Sequence, residues 1–114
     1  SYAEHGFGLA LVELKAGGEP IGLCGLIKRD FLDDVDLGFA FLPRFRGAGF
    51  AFEAGAGVLR DAGSTLGLRR VVAITALDNA PSIRLLERLG FRFERTMPYP
   101  GEDEPVRLFG CALP

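Results

Sequence analysis

Hydrophobic positions alternate with a period of two near both ends of the chain and shift to a helical period in two central stretches. Residues 7–15 and 21–28 are apolar runs rich in β-branched or aromatic side chains, separated by Ala16-Gly17-Gly18-Glu19-Pro20, the composition of a hairpin loop. After a polar connection at 29–34, residues 35–42 place Val35, Leu37, Phe39 and Phe41 on one face. Asp36, Gly38, Ala40 and Leu42 fall on the other. This is a third strand, ended by Pro43.

From Gly49 to about Ala62 the stripe Phe50, Ala51, Ala54, Val58, Leu59 and Ala62 opposes Glu53, Gly57 and Arg60, the pattern of an amphipathic helix. Gly55 and Gly57 weaken it by about 1 kcal/mol each relative to Ala, unless close packing requires a missing side chain. A short β-branched run at 71–77 precedes Asp78-Asn79-Ala80-Pro81-Ser82, where Asn79 suits a helix cap and Pro81 a first turn. Ile83, Leu86 and Leu89 then recur at helical spacing with Arg84, Glu87 and Arg88 outward. Gly90 supplies the left-handed stop. Residues 91–97 and 106–113 flank the Pro- and acid-rich turn 98–105 as a final hairpin.

The order is β-β-β-α-β-α-β-β. A strand, helix, strand sequence in the middle implies one parallel pair with a right-handed crossover, and the hairpins make the rest antiparallel. The fold class expected is α/β (α+β), a mixed, mostly antiparallel sheet covered by two main helices in one domain, 1–114.

Composition narrows the function. The formal net charge of -2 argues against a nucleic-acid binder, and no apolar run is long enough to span a bilayer. Cys24 and Cys111 lie far apart in apolar stretches without CxxC spacing, which reads as two reduced core thiols rather than a disulfide or metal site. No signal segment opens the sequence, so a cytoplasmic location is expected. Glycine, at 16 of 114 residues, is about twice its usual frequency, so some glycines serve backbone geometry.

One such place is Arg46-Gly47-Ala48-Gly49-Phe50-Ala51, at a strand-to-helix junction. Unpaired N–H groups and the helix dipole make such a junction an anion site, glycines let phosphate oxygens approach the main chain, and Arg44 or Arg46 adds charge. A ligand-free tight connection has the same spacing. The run lacks the Gly-Lys-Ser/Thr ending of a P-loop and the third glycine of a dinucleotide fingerprint.

This turn resembles the Gln/Arg-x-x-Gly-x-Gly/Ala signature of the GNAT N-acetyltransferase superfamily, with Arg46, Gly49 and Ala51 at its fixed positions. Asp36-Leu37-Gly38-Phe39 resembles the acid-x-Gly-aromatic strand before that signature. Phe50 to Ala54 resembles the start of the helix after it, and 78–91 the second cofactor-side helix. The likeness runs from about Phe7 to the C-terminus, with a subgroup resembling ribosomal-protein alanine N-acetyltransferases. It implies acetyl-CoA lying between the strands 35–42 and 71–77, splayed apart. Main-chain groups near Phe39, Ala40 and Phe41 would hold the pantetheine arm, the turn Arg46, Gly47, Ala48, Gly49, Phe50 and Ala51 the pyrophosphate, and Asn79 the far side of the arm.

Acetyl transfer to an amine of pKa about 10.4 needs a base, and Asp36 is the best candidate. A solvent-exposed acid in the strand, or an ion pair with a nearby Arg, is its structural alternative. His5, Asp33 and Asp34 are weaker candidates. The oxyanion would be met by main-chain N–H groups around Phe39 to Phe41. Many family members place a Tyr in the second helix to protonate the leaving thiolate, but Leu86 stands there. Ser82 resembles the serine proposed for this task in some protein-N-terminus acetyltransferases. A thiol with an intrinsic pKa of about 8.5 also permits transfer without a dedicated acid.

The family normally opens with a strand and one or two helices before the equivalent of Phe7, and these help form the acceptor pocket. Their near-absence reads as a truncated or partial domain, or as a pocket completed by a partner chain, as in a homodimer. The expected activity is transfer of acetyl from acetyl-CoA to a small amine or a protein N-terminus. The alternative is a non-catalytic acyl-CoA-binding or interaction module of the same fold.

Overall fold

Strand-forming runs joined by turns pair with their neighbours in sequence, and the two helical stretches force longer connections. In the computed structural model, which describes residues 8–13, 18, 20–41 and 49–113, the elements are β1 (Gly8–Glu13), β2 (Pro20–Ile27), β3 (Asp36–Phe41), α1 (Phe50–Ser64), β4 (Arg70–Ala76), α2 (Ala80–Arg88), β5 (Arg92–Met97) and β6 (Val106–Ala112). The expected order holds, with ends shifted by one or two residues. Phe7, Leu14, Lys15, Leu42 and Pro43 lie outside the described residues.

The six strands form one sheet in the order β1-β2-β3-β4-β6-β5. Four pairs are antiparallel. The parallel pair, β3 with β4, meets at one register position, Asp36 opposite Val72. The sheet is therefore two antiparallel halves joined at a single point, and that point positions the site.

Period-two alternation sends Leu37, Val71, Ala73, Phe109 and Cys111 to one face, where they pack with Leu59 and Ala62 of α1 and Leu86 of α2. Both helices thus cover the same face. On the other, Leu32, Val72 and Leu108 form a smaller cluster with Phe31, Ile74 and Met97 against it.

In α1 the buried positions are Gly55, Leu59 and Ala62, at the i, i+4, i+7 spacing of one helical face. Phe50 and Ala51, expected at the head of that stripe, are half-exposed, and the helix runs on to Ser64. Gly55 replaces them in the packed stripe because α2 crosses close by. A Cβ there would come within 2.9 Å of Leu89 Cδ1, whereas one at Gly57 would meet nothing nearer than Arg60 at 3.8 Å. Close packing thus explains one of the two mid-helix glycines.

Cys24 and Cys111 are buried and unpaired. No helix among the described residues is long and apolar enough to cross a membrane.

Candidate active site

β3 and β4 are each laddered on their outer edges, to β2 and β6. Their facing edges share the Asp36–Val72 position, where Val72 N–H donates to Val35 O at 2.9 Å. Beyond it, toward Phe41 and Ala76, no register pair joins them. Backbone N–H and C=O groups are obligatory hydrogen-bonding groups, and along these two facing edges they are not paired with each other beyond that position, which leaves a slot between the strands. Phe39, Ala40 and Phe41 lie along this slot on β3.

Asp36 stands where the slot closes. Its residue is 1% exposed, against the sequence alternative of a solvent-facing acid. Oδ2 accepts from Arg29 Nε at 2.6 Å, and Oδ1 is buried with no hydrogen-bond partner among the described residues. The same guanidinium donates from Nη1 to the Tyr99 hydroxyl at 3.1 Å. The Tyr99 ring packs edge-on to Phe31, centroids 5.0 Å apart. Lys28 Nζ braces the turn bearing Arg29 by donating to the carbonyls of Arg29 and Leu32.

Two effects oppose each other at Asp36. Removal from water disfavours the carboxylate and raises its pKa, while the bond and charge of Arg29 lower it. Burial wins, so the carboxyl sits above its ordinary value. An ion pair and a raised proton affinity thus coexist in one side chain.

At the other end of the site, Arg46, Gly47 and Ala48 lie outside the described residues, as do Arg44 and His5. Gly49 is exposed, caps α1 at φ +88° with no side-chain cap, and faces open space. The positive φ requires glycine, and the N–H groups of Ala51 and Phe52 in the first turn have no intrahelical acceptor. Arg88, at the end of α2, lies over the Phe52 ring at 4.5 Å and joins the two helices beside this turn.

Asn79 caps α2 as expected, its Oδ1 accepting from Ser82 N–H at 3.3 Å. Leu86 is fully buried in the helix-side core, facing away from Asp36 across the sheet. Asp34 is engaged elsewhere, by Arg70 Nε at 3.0 Å, and Asp33 is exposed.

Arg29 and Tyr99 are absent from the sequence reading. One lay in a stretch read as a polar connection, the other in a turn, and 70 positions separate them. Beside Tyr99, a recess of about 220 Å³ is lined by Thr96, Met97 and the acids Glu102, Asp103 and Glu104.

Residues 1–92 match the acetyltransferase (GNAT) domain. A putative GnaT-family acetyltransferase from Bordetella pertussis superposes with a TM-score of 0.87 at 29% identity, covering 97% of this chain and 69% of that one. The spermidine N-acetyltransferase SpeG from Vibrio cholerae shares the fold, with a TM-score of 0.78 at 22% identity over 97% of this chain and 70% of its own. The uncharacterized protein YkkB of Bacillus subtilis is 29% identical over 98 residues, 82% of this chain, and the chain spans 57% of YkkB's length. A parallel strand pair that opens beyond an acid, its two strands joined by a Gly-capped helix, is thus found in a chain that belongs to the GNAT acetyltransferase family.

Proposed function

We propose that residues 1–114 act as one acetyl-CoA-dependent N-acetyltransferase domain that acetylates a primary amine, with Asp36 as general base. The observation that carries this reading is the buried, unpartnered Oδ1 of Asp36 at the point where β3 and β4 part.

The site's fit to acetyl-CoA rests on two features of the chain. The facing edges of β3 and β4 offer main-chain donors and acceptors to the amides of a pantetheine arm, with Phe39, Ala40 and Phe41 on one side. The start of α1, where Gly49 brings no side-chain cap, suits a pyrophosphate bound at Gly49, Phe50 and Ala51, and Arg46, Gly47 and Ala48 precede it. Asn79, at the head of α2, would reach the arm from the β4 side. When bound, acetyl-CoA supplies an activated acetyl thioester.

Asp36 Oδ1, itself buried, then takes a proton relayed through water from the incoming ammonium, leaving an amine lone pair free to attack. Arg29 stays charged throughout, because a guanidinium does not deprotonate in this range. Main-chain N–H groups of β3 meet the carbonyl oxygen. Ser82 is the candidate for proton return to the departing sulfur. A small cationic amine as acceptor is supported by the acid-lined recess at Glu102, Asp103 and Glu104 and by the activity named for SpeG. A protein N-terminus is the other acceptor considered. A cytoplasmic setting suits the two free thiols.

The test is release of CoA thiol from acetyl-CoA across a panel of di- and polyamines, monoamines and peptide N-termini. Turnover lost in Asp36→Asn with acetyl-CoA affinity retained supports the reading. Tight acetyl-CoA binding with no turnover on any amine would replace it with the non-catalytic acyl-CoA-binding module, which the buried Leu86 favours.

A further inference from the structure

The orphaned oxygen of Asp36 lies beside a guanidinium that engages only the other oxygen. A carboxylate offers about four acceptor sites, and a guanidinium commonly engages both oxygens side by side. Here it does not. Arg29 presents Nε to Oδ2 alone and turns Nη1 to the Tyr99 hydroxyl. The guanidinium is thus held from two edges, Nε by the carboxylate and Nη1 by the β5–β6 turn.

We propose that Arg29 is a positioning residue, held between Asp36 and Tyr99 so that the Asp36 carboxyl is fixed by one oxygen and left with the other to take a proton. The role rests on Asp36 acting as the base. It also gives Tyr99 a function: the turn that lines the acidic recess is hydrogen-bonded, through one guanidinium, to the base. Acceptor-side and base-side geometry are thereby set together.

Among the described residues, the surroundings leave Arg29 as the charge that faces Asp36. β2 presents Ile27 at the paired position and β4 presents Val72, neither titratable. The β2–β3 turn contributes Leu32 and Phe31 on this side of the sheet, and its Lys28 is turned to backbone carbonyls. Asp34 is drawn off by Arg70, and Arg107 of β6 by the carbonyl of Leu77. The β5–β6 turn reaches the site through Tyr99, behind Arg29.

The test combines ¹³C NMR titration of the Asp36 carboxyl with the pH profile of kcat/KM, in the wild type, Arg29→Gln, Arg29→Lys and Tyr99→Phe. Arg29→Gln removes the influence that lowers the carboxyl's pKa, so its midpoint moves further up and the acidic limb of the profile follows. Its kcat falls on the order of tenfold to a hundredfold, as misplacement of a reacting group does. Arg29→Lys returns the midpoint toward wild type without restoring kcat, because an ammonium is a point charge without the planar fork. Tyr99→Phe keeps the midpoint and lowers kcat with acetyl-CoA affinity unchanged.

A shifted midpoint with an unmoved profile and wild-type kcat in Arg29→Gln would overturn the proposal, as would wild-type kcat in both Arg29→Lys and Tyr99→Phe. Full activity in Asp36→Asn would instead remove the base reading itself, while the NMR midpoint still reports whether Arg29 governs the carboxyl. The two failures are thus separable.

Discussion

Arg70 of β4 and Glu94 of β5 meet across the intervening strand β6 in a two-pronged ion pair, Nη1 to Oε2 at 2.5 Å and Nη2 to Oε1 at 2.6 Å. The strand between them carries Gly110, and a Cβ there would overlap both Glu94 Oε2 and Arg70 Nη1. Glu94 falls where the β5–β6 register shifts, between Phe93 and Arg95. The Gly110 gap and the irregularity together let two strands that are not neighbours be joined directly.

Gly110→Ala should therefore lower the melting temperature, at an overpacking cost of about 1–3 kcal/mol. In a Glu94→Gln background the same change should cost less, since the pair is already weakened. Thermal melts of the double-mutant cycle measure this coupling, and additive losses would show that Gly110 serves another purpose.

Two carboxylates should give stability slopes of opposite sign. Glu94 is held below its ordinary 4.5 by Arg70, so its contribution is present above that value and lost as pH falls through the lowered one. Asp36 is raised, mainly by burial, so its contribution is full at low pH and declines as pH rises through its folded value. Denaturant melts from pH 3 to 8, roughly the range of carboxylate linkage, should show Glu94→Gln flattening the acid-side loss. Asp36→Asn should gain stability relative to wild type toward neutral pH.

Of the two glycines inside α1, Gly57→Ala should stabilise by up to about 1 kcal/mol, the ordinary helix-propensity gain. Gly55→Ala should gain less or lose stability, because Leu89 must shift from the space a Cβ needs. Equal gains at both sites in urea titrations would mean that α2 yields freely.

Asn79→Ala removes the cap of α2 and should cost about 0.5–2 kcal/mol, whereas Asn79→Asp should keep most of that stability. Calorimetry of acetyl-CoA on both variants separates the cap from a ligand role. Weakened binding in the stable Asp variant assigns the Asn79 amide to the cofactor, and wild-type binding leaves it a cap.

Leu86→Tyr should not restore a proton donor. The position is fully buried among core side chains, so the larger ring should destabilise by roughly 1–3 kcal/mol and leave kcat no higher than wild type. Thermal melts with steady-state kinetics decide this, and a rise in kcat would reassign Leu86 to the donor site.

Element types and their order were legible because each rests on local patterning. Alternation marks β3, the Asn79–Pro81 start and Gly90 stop mark α2, and the glycine at 49 marks a backbone turn that side-chain-bearing residues avoid. The acid at 36 was legible as a candidate for the same reason, since its neighbours in the strand are apolar. What the tertiary structure decided lies in relations between distant residues. That β3 and β4 touch at one register position, that Asp36 is buried rather than solvent-facing, and that Arg29 divides its donors between Asp36 and Tyr99 depend on elements up to 70 positions apart being packed together. Chain patterning reports which face a side chain takes. Only packing determines what covers that face, and so whether a carboxylate there is a surface charge or a desolvated base.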